Sequence, residues 1–470
     1  LKATARQYPA RLPLALALAL AGGGCSEIAG SYGGAFRGAP AEMEAHIGAR
    51  AKALVAEAFD FRTGGGELII VDHHVHAVAR GTHERSGRAY INPGLRAPWR
   101  PLSRLKTAVL MSASGVADYE QLDTQYERRL ALLLHHFQDV QRRYAPAGRR
   151  VESRFYLYAL DAFHDERGQP DSKRTDLYVP NDYVLALSAR LNRELEGSGP
   201  QRNPRNRTRV VPVASVHPYR ADFRREVARL ARRGARHLKW LPSAMNIDLE
   251  KVSGETYDAL ARQGMTLLVH TGSEHTLRVS GAQRRRFDDP YRLRKALDHG
   301  ATVVALHSGR EGRDPDTGQS YFERFLALMK MPRYRGRLFG EISAMTLDAN
   351  IALQGSQELL LRVMEEARPG GPLHRRMVNG SDYPIPAVAY LNPTRGLVGR
   401  GMISAEEREA LNEIYGYNPL LFDFVLKRAL RHPETGERLP EDCYAPLSAR
   451  LSAQSGAAAR QAPAAAGRRQ

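Results

Sequence analysis

The chain has 470 residues, 43% of them hydrophobic, enough for one large domain with extensions or for two domains. Its formal net charge is +18. The basic clusters, such as Arg149-Arg150 and Arg284-Arg285-Arg286, are short and have no interleaved aromatic residues to stack on bases, so nucleic acid is not an expected partner. The two cysteines, Cys25 and Cys443, exclude a disulfide framework and a four-cysteine metal site, and leave His, Asp, Glu or Lys to hold any metal.

Residues 1–25 carry Lys2, Arg6 and Arg11, then an apolar run over 12–21, then Gly22-Gly23-Gly24-Cys25. A basic start, a short apolar run and small residues are the parts of an export signal. The run is too short to span a bilayer stably. The end resembles a bacterial lipoprotein processing site, with Gly22 standing where an aliphatic residue is usual. The expectation is an exported protein of a bacterial periplasm, touching the membrane only through a lipid on Cys25; the alternative is an Ala-rich leader on a cytoplasmic protein. Residues 26–60 read as a linker, 61–440 as the main domain and 441–470 as a flexible tail.

The apolar run from Leu68 to His76 follows Gly64-Gly65-Gly66 and predicts a buried strand. A second strand is expected over Leu105 to Ser112, then a helix over about 120–144 with Leu130, Leu133, Leu134 and Phe137 at helical spacing. Further strands are expected at 154–163, 210–216, 237–241, 266–270, 302–307, 337–342 and 376–382. Helices are expected near 183–196, 221–233, 254–263, 290–299, 319–330 and 356–367. Gly234, Gly264 and Gly300 close three of these helices. Loops 77–104 and 164–181 are long and polar, and are expected to shape a substrate pocket.

Repeated strand–helix units imply parallel strands with right-handed crossovers. Several strands end in a group able to hold a metal: His74 and His76, which share one face of the first strand, then His270, His307 and Asp382. The C-terminal ends of strands converge on one mouth in a closed barrel but lie far apart in an open sheet. The spread of these residues therefore predicts an α/β fold of (β/α)8 TIM-barrel type. Gly64-Gly65-Gly66 precedes its strand and is no dinucleotide loop. Taken singly, His74 and His76 read as a pair of surface histidines at a strand end, His270 and His307 equally well as buried structural histidines, and Asp382 as a turn cap before Tyr383-Pro384.

The ordered set resembles a known family. Val71-Asp72-His73-His74-Val75-His76, Leu267-Leu268-Val269-His270-Thr271-Gly272, Val304-Ala305-Leu306-His307-Ser308-Gly309 and Asn379-Gly380-Ser381-Asp382-Tyr383-Pro384 are similar to the metal motifs of the amidohydrolase superfamily. The resemblance is to its amidohydrolase-related branch of hydrolases and decarboxylases, and covers roughly residues 68–390. It implies that His74, His76, His270 and Asp382 hold a divalent metal, zinc first and manganese second. His307 would be a second-metal ligand or stand beside the substrate. Lys239 would be a carboxylated bridge between two ions or, on the simpler one-ion reading, a charge near the substrate. In the expected chemistry, water activated by the metal attacks the carbonyl of an amide, ester or lactone. Asp382 then shuttles the proton and His307 bonds the developing oxyanion.

Asp72 and Glu341 are candidates to orient ligand imidazoles. His217 reads as pocket-lining or structural, and Arg310 as a clamp for a substrate carboxylate or an ordinary solvated arginine. The partner expected is a small-molecule substrate. Non-oxidative decarboxylation of a small aromatic acid is the alternative reaction, and a non-catalytic basic binding protein the third reading.

Overall fold

The computed structural model of the protein describes residues 39–63, 66–197, 206–279, 286–347, 356–392 and 394–450. The leader 1–25 with Cys25, and the tail beyond 450, lie outside the described residues. Ten strands are present in that span: β1 (Glu67–His76), β2 (Tyr90–Ile91), β3 (Arg150–Tyr158), β4 (Leu177–Tyr178), β5 (Asn206–Val213), β6 (His237–Trp240), β7 (Thr266–His270), β8 (Thr302–Leu306), β9 (Leu338–Glu341) and β10 (Met377–Val378). β1, β3 and β5 form a parallel sheet in that order, and β10-β9-β8-β7-β6 a second one; β2 and β4 make a small antiparallel pair.

Backbone contacts cross from one parallel sheet to the other at both edges. Ala214, just past β5, bridges Leu238 of β6, and Val75 of β1 bridges Tyr383, just past β10. At the second seam the His73 N–H donates to the Asn379 carbonyl at 2.9 Å, and the Asp382 N–H to the His74 carbonyl at 2.8 Å.

Two apolar layers follow from the alternation of side chains along each strand. The larger joins strand residues such as Leu238, Leu267, Val269, Val303 and Leu338 to helix residues such as Leu260, Phe325 and Val363. The smaller is made of Val71, Tyr156, Tyr158, Val213, Leu268, Val304, Leu306, Phe339 and Val378, on the opposite face of the strands, with Leu447 from the C-terminal segment. β6 adds no apolar residue to it. Its turn falls to Lys239, whose Nζ lies 5.2 Å from the centre of the Tyr158 ring. Each fully buried Leu, Val or Phe contributes roughly 1.5–3 kcal/mol.

The stretch Leu105 to Ser112, expected as a strand, lies within a helix, Pro101–Ala113. Pro101 occupies the first turn, where its missing N–H costs nothing, and Gly115, at φ +78°, follows the end. The apolar run Thr107 to Met111 is too short to separate a strand from a helix by period, and only Thr107 and Ala113 are buried within this helix. The linker expected at 26–60 is also corrected where it is described. The helix Ala49–Phe59 buries Leu54, Val55 and Phe59 and packs on the helices Ala405–Tyr415 and Pro419–Ala429. The tail expected from 441 is packed at its start, where Cys443 and Tyr444 are buried and the Arg450 guanidinium bonds the Met377 carbonyl. Among the described residues no helix is long and apolar enough to cross a membrane.

Candidate metal centre

β1 delivers two imidazoles to one point. His74 Nε2 and His76 Nε2 are 3.0 Å apart, and Asp382 Oδ1 lies 3.3 Å from the first and 3.1 Å from the second. His73 turns the other way, with Nδ1 3.0 Å from the Asn379 carbonyl. Asp382 is reached four residues past β10 through a left-handed backbone, φ +60°, uncommon for a residue other than glycine. The loop before it is fastened from both sides. Asp72 Oδ1 accepts from the Ser381 N–H at 2.8 Å and from the His74 N–H at 3.0 Å. Asp72 therefore organises two backbones and not, as expected, an imidazole.

Glu341, at the end of β9, does orient imidazoles. Its Oε1 is 3.0 Å from His74 Nδ1, and its Oε2 accepts from the His307 N–H at 3.0 Å and the Ser343 hydroxyl at 2.6 Å. A carboxylate only accepts, so His74 carries its proton on Nδ1 and turns a bare Nε2 to Asp382. Two lone pairs facing each other at 3.3 Å call for a cation between them. Tetrahedral zinc with ligand bonds of about 2.0–2.2 Å spaces its donors by roughly 3.3–3.6 Å, so the three donors need to part by only a few tenths of an ångström to hold such an ion. Ser343 has one hydrogen and spends it on Glu341, so its oxygen accepts from His307 Nδ1–H at 2.8 Å. His307 is thereby left with a lone pair on Nε2. That tautomer suits a proton acceptor or a ligand. It does not favour the oxyanion-donor role expected from the sequence.

Electrostatics keep the same groups in ligand form. Burial holds the His74 and His307 imidazoles well below their ordinary pKa, and takes His270 down to about 3. Burial also works to raise the Asp382 carboxyl, but His74 and His76 outweigh it and the net shift is downward. Burial pushes the Lys239 ammonium down to about 8, against the pull of Asp382 and Glu341, and its Nζ has no hydrogen-bond partner among the described residues.

His270 lies in the same cavity but outside the three-donor cluster. Its Nε2 is 3.2 Å from the Gly272 carbonyl and 3.6 Å from Glu274 Oε2. Its ring stands 4.8 Å from that of His307, which in turn is 5.2 Å from that of His74. Arg310 lines the cavity with its side chain only 10% exposed, its Nη1 donating to Ser356 Oγ at 2.9 Å, and is not a solvated arginine. His217 is structural: Nε2 meets the Met245 carbonyl at 2.8 Å, and Nδ1 accepts from the Tyr219 N–H at 3.2 Å.

His76 and Asp382 open onto a cavity of about 490 Å³ whose wall mixes aliphatic residues with polar and charged ones. Loop 77–104 supplies Val78, Ile91, Leu95 and Leu102 to it, and loop 164–181 supplies Asp176 and Leu177. Sequence reasoning missed Lys427. Buried on the helix Pro419–Ala429, it donates to the Gly380 carbonyl at 2.6 Å and to Asp423 at 2.7 Å, and so steadies the loop that carries Asp382. Nothing in its local sequence marks it. Gly380 is required where it stands, because a Cβ there would overlap the Glu341 carboxylate and come within 2.8 Å of His74 Cβ.

No protein-family model matches the chain, and no curated protein sequence does. Solved structures that match are faint likenesses. One, from Pseudomonas putida, is described as a 2-pyrone-4,6-dicarboxylic acid hydrolase; identity is 17%, covering 78% of this chain and 96% of that one, with a TM-score of 0.37. Another so described, from Acinetobacter baumannii with citric acid bound, shows 14% identity over 56% of this chain and 84% of that one, TM-score 0.31. A mutant organophosphorus hydrolase of Deinococcus radiodurans shows 11% identity over 76% and 92%, TM-score 0.31. At these scores the likeness carries no weight for fold or chemistry.

Proposed function

We propose that the chain is a metal-dependent hydrolase of the amidohydrolase superfamily, built on a (β/α)8 barrel and cleaving an amide, ester or lactone. The observation that carries this reading is the convergence of His74 Nε2, His76 Nε2 and Asp382 Oδ1, within 3.3 Å of one another, at the inner end of a cavity. The seam contacts between the two parallel sheets support the closed barrel. When bound, a divalent ion, zinc before manganese, supplies Lewis acidity that polarises a carbonyl and brings the pKa of water to about 7. Asp382, held below the ordinary carboxylate range, is free to take a proton from the attacking water and return it to the leaving group. Glu341 keeps the Nε2 lone pair of His74 aimed inward directly, and that of His307 through the Ser343 hydroxyl. His270 shares the cavity and would be a further ligand if its ring turned from the Gly272 carbonyl. Arg310, at the cavity wall, offers a guanidinium to an anionic group of the substrate.

The reading assigns about one ion per chain, with Lys239 as a buried charge and not a bridge. Metal analysis of protein purified without chelator and supplied with bicarbonate tests this against Lys239→Gln. The expected result is about one ion in both. Two ions in the parent, falling sharply in the variant, would replace the one-ion site by a bridged one. A panel of esters, lactones, amides and aromatic carboxylic acids tests the reaction. Chelator-sensitive hydrolysis supports the proposal, and release of carbon dioxide would establish the decarboxylase instead. Metal-independent, salt-sensitive binding of the panel compounds with no turnover of any would establish a basic binding protein. Export and lipidation are proposed separately: protein made in a bacterial host should begin at Cys25 and carry lipid by mass spectrometry, and a soluble chain that keeps residues 1–24 would overturn both.

A further inference from the structure

Among the described residues three large apolar side chains are exposed: Trp99 at 79%, Leu102 at 69% and Leu132 at 41%. The first two lie three positions apart where the chain enters the helix Pro101–Ala113, and Leu102 also forms part of the cavity rim. A tryptophan and a leucine exposed within one short stretch of chain mark a surface that can be covered. The charge around them has one sign. Between Glu84 and Asp118 the sequence holds no Asp or Glu, but it holds Arg85, Arg88, Arg96, Arg100, Arg104 and Lys106. Arg96 lies over the Tyr119 ring, and Lys106 feels Glu274 and Asp176 across the cavity mouth. Arg88, Arg100 and Arg104 are exposed and make no ion pair among the described residues, so they carry the outward charge.

We propose that this face docks on an anionic lipid surface. Trp99 and Leu102 enter at headgroup level, where tryptophan is favoured, and the arginines meet lipid phosphates. The contact is peripheral, since no described helix can span a bilayer. Because Leu102 belongs both to the docking face and to the cavity rim, an amphiphilic substrate can pass from lipid into a cavity that offers both aliphatic and polar walls. That last step rests on the hydrolytic reading above; the docking does not. A second copy of the chain is a poor occupant, because a self-contact would set the same unpaired arginines against one another.

The chain has two tryptophans, and Trp240 is already buried with its Nε1 donating to the Val216 carbonyl at 2.8 Å. A change in emission on adding vesicles therefore reports Trp99. With vesicles of equal phosphatidylglycerol and phosphatidylcholine the emission should shift to the blue and resist acrylamide. Phosphatidylcholine alone should leave it unchanged, and high salt should reverse the shift. Arg100→Glu with Arg104→Glu should weaken vesicle binding by about tenfold or more. Trp99→Ala should abolish the shift and leave metal content unaltered. Emission indifferent to anionic vesicles overturns the proposal. So does binding unchanged by the charge reversal, which would assign it to the apolar leader, and so does burial of Trp99 by dimerisation without lipid. None of these readouts needs turnover, so the docking and the hydrolytic reading fail separately.

Discussion

The end of β1 and the helix Pro101–Ala113 border the same cavity under opposite constraints. At the strand end His74 is fully buried, and each of its nitrogens has a partner: Nδ1 on Glu341, Nε2 beside His76 and Asp382. The helix buries only Thr107 and Ala113 and leaves Trp99 and Leu102, at its start, in solvent. Position matters to tenths of an ångström in the first region, because three donors must meet at one point. In the second it matters only that an apolar, cationic face be presented. The difference sets how far each region tolerates change.

The largest effect should come from breaking the donor cluster. His74→Ala is expected to lose bound metal and to lower kcat/KM by more than about a hundredfold, since even groups one step removed from a ligand cost about that much. Metal analysis beside turnover checks it, and activity retained without metal would dissolve the contrast.

Burial should show its cost in acid, away from the cavity. His136, on the helix Leu122–Tyr144, is buried with Nδ1 3.1 Å from Asn418 Nδ2, and burial takes it down to about 4. In the unfolded chain it takes a proton near pH 6.5; in the folded chain it refuses one until about pH 4. The unfolded state thus binds more protons between those values. This contribution is full above pH 6.5, declines as pH falls towards 4, and amounts to about 3 kcal/mol when gone. Denaturant titrations across that window should show the decline, with a shallower slope in His136→Gln.

A milder change sharpens the comparison. Glu341→Gln keeps the shape of the carboxylate but lets the amide nitrogen face a donor. Metal affinity should fall by about 10- to 100-fold, read by competition with a chelator, while the fold persists. The smallest effect is expected at the helix. Trp99→Ala should change the stability to denaturant by no more than about 0.5 kcal/mol, as for other surface positions. A larger loss would mean that the exposed face packs on something in the folded chain.

The misread stretch belongs to this second region, and for a physical reason. Leu105 to Ser112 buries one residue, Thr107, so no buried face imposed a period that could be read. The strands β7 and β8 are buried along nearly their whole length, and their apolar runs were legible for that reason.

By itself the sequence determined the strand–helix rhythm and placed His74, His76, His270, His307 and Asp382 at or just past strand ends. Those are local properties: an apolar run, a glycine stop, and histidines two apart on one pleated face. Tertiary structure decided which of these groups meet. His74 and Glu341 are 267 positions apart in the chain, and no local pattern couples them. Their contact, with the Ser343 hydroxyl, sets which nitrogen of His74 and His307 bears the proton. The left-handed turn at Asp382 brings its carboxylate to β1, whereas His270 ends its strand facing the Gly272 carbonyl. Lys427 supports the site from a helix outside every motif. Convergence of side chains on one point depends on strand register and on contacts between segments far apart in the chain, and only the folded molecule contains that information.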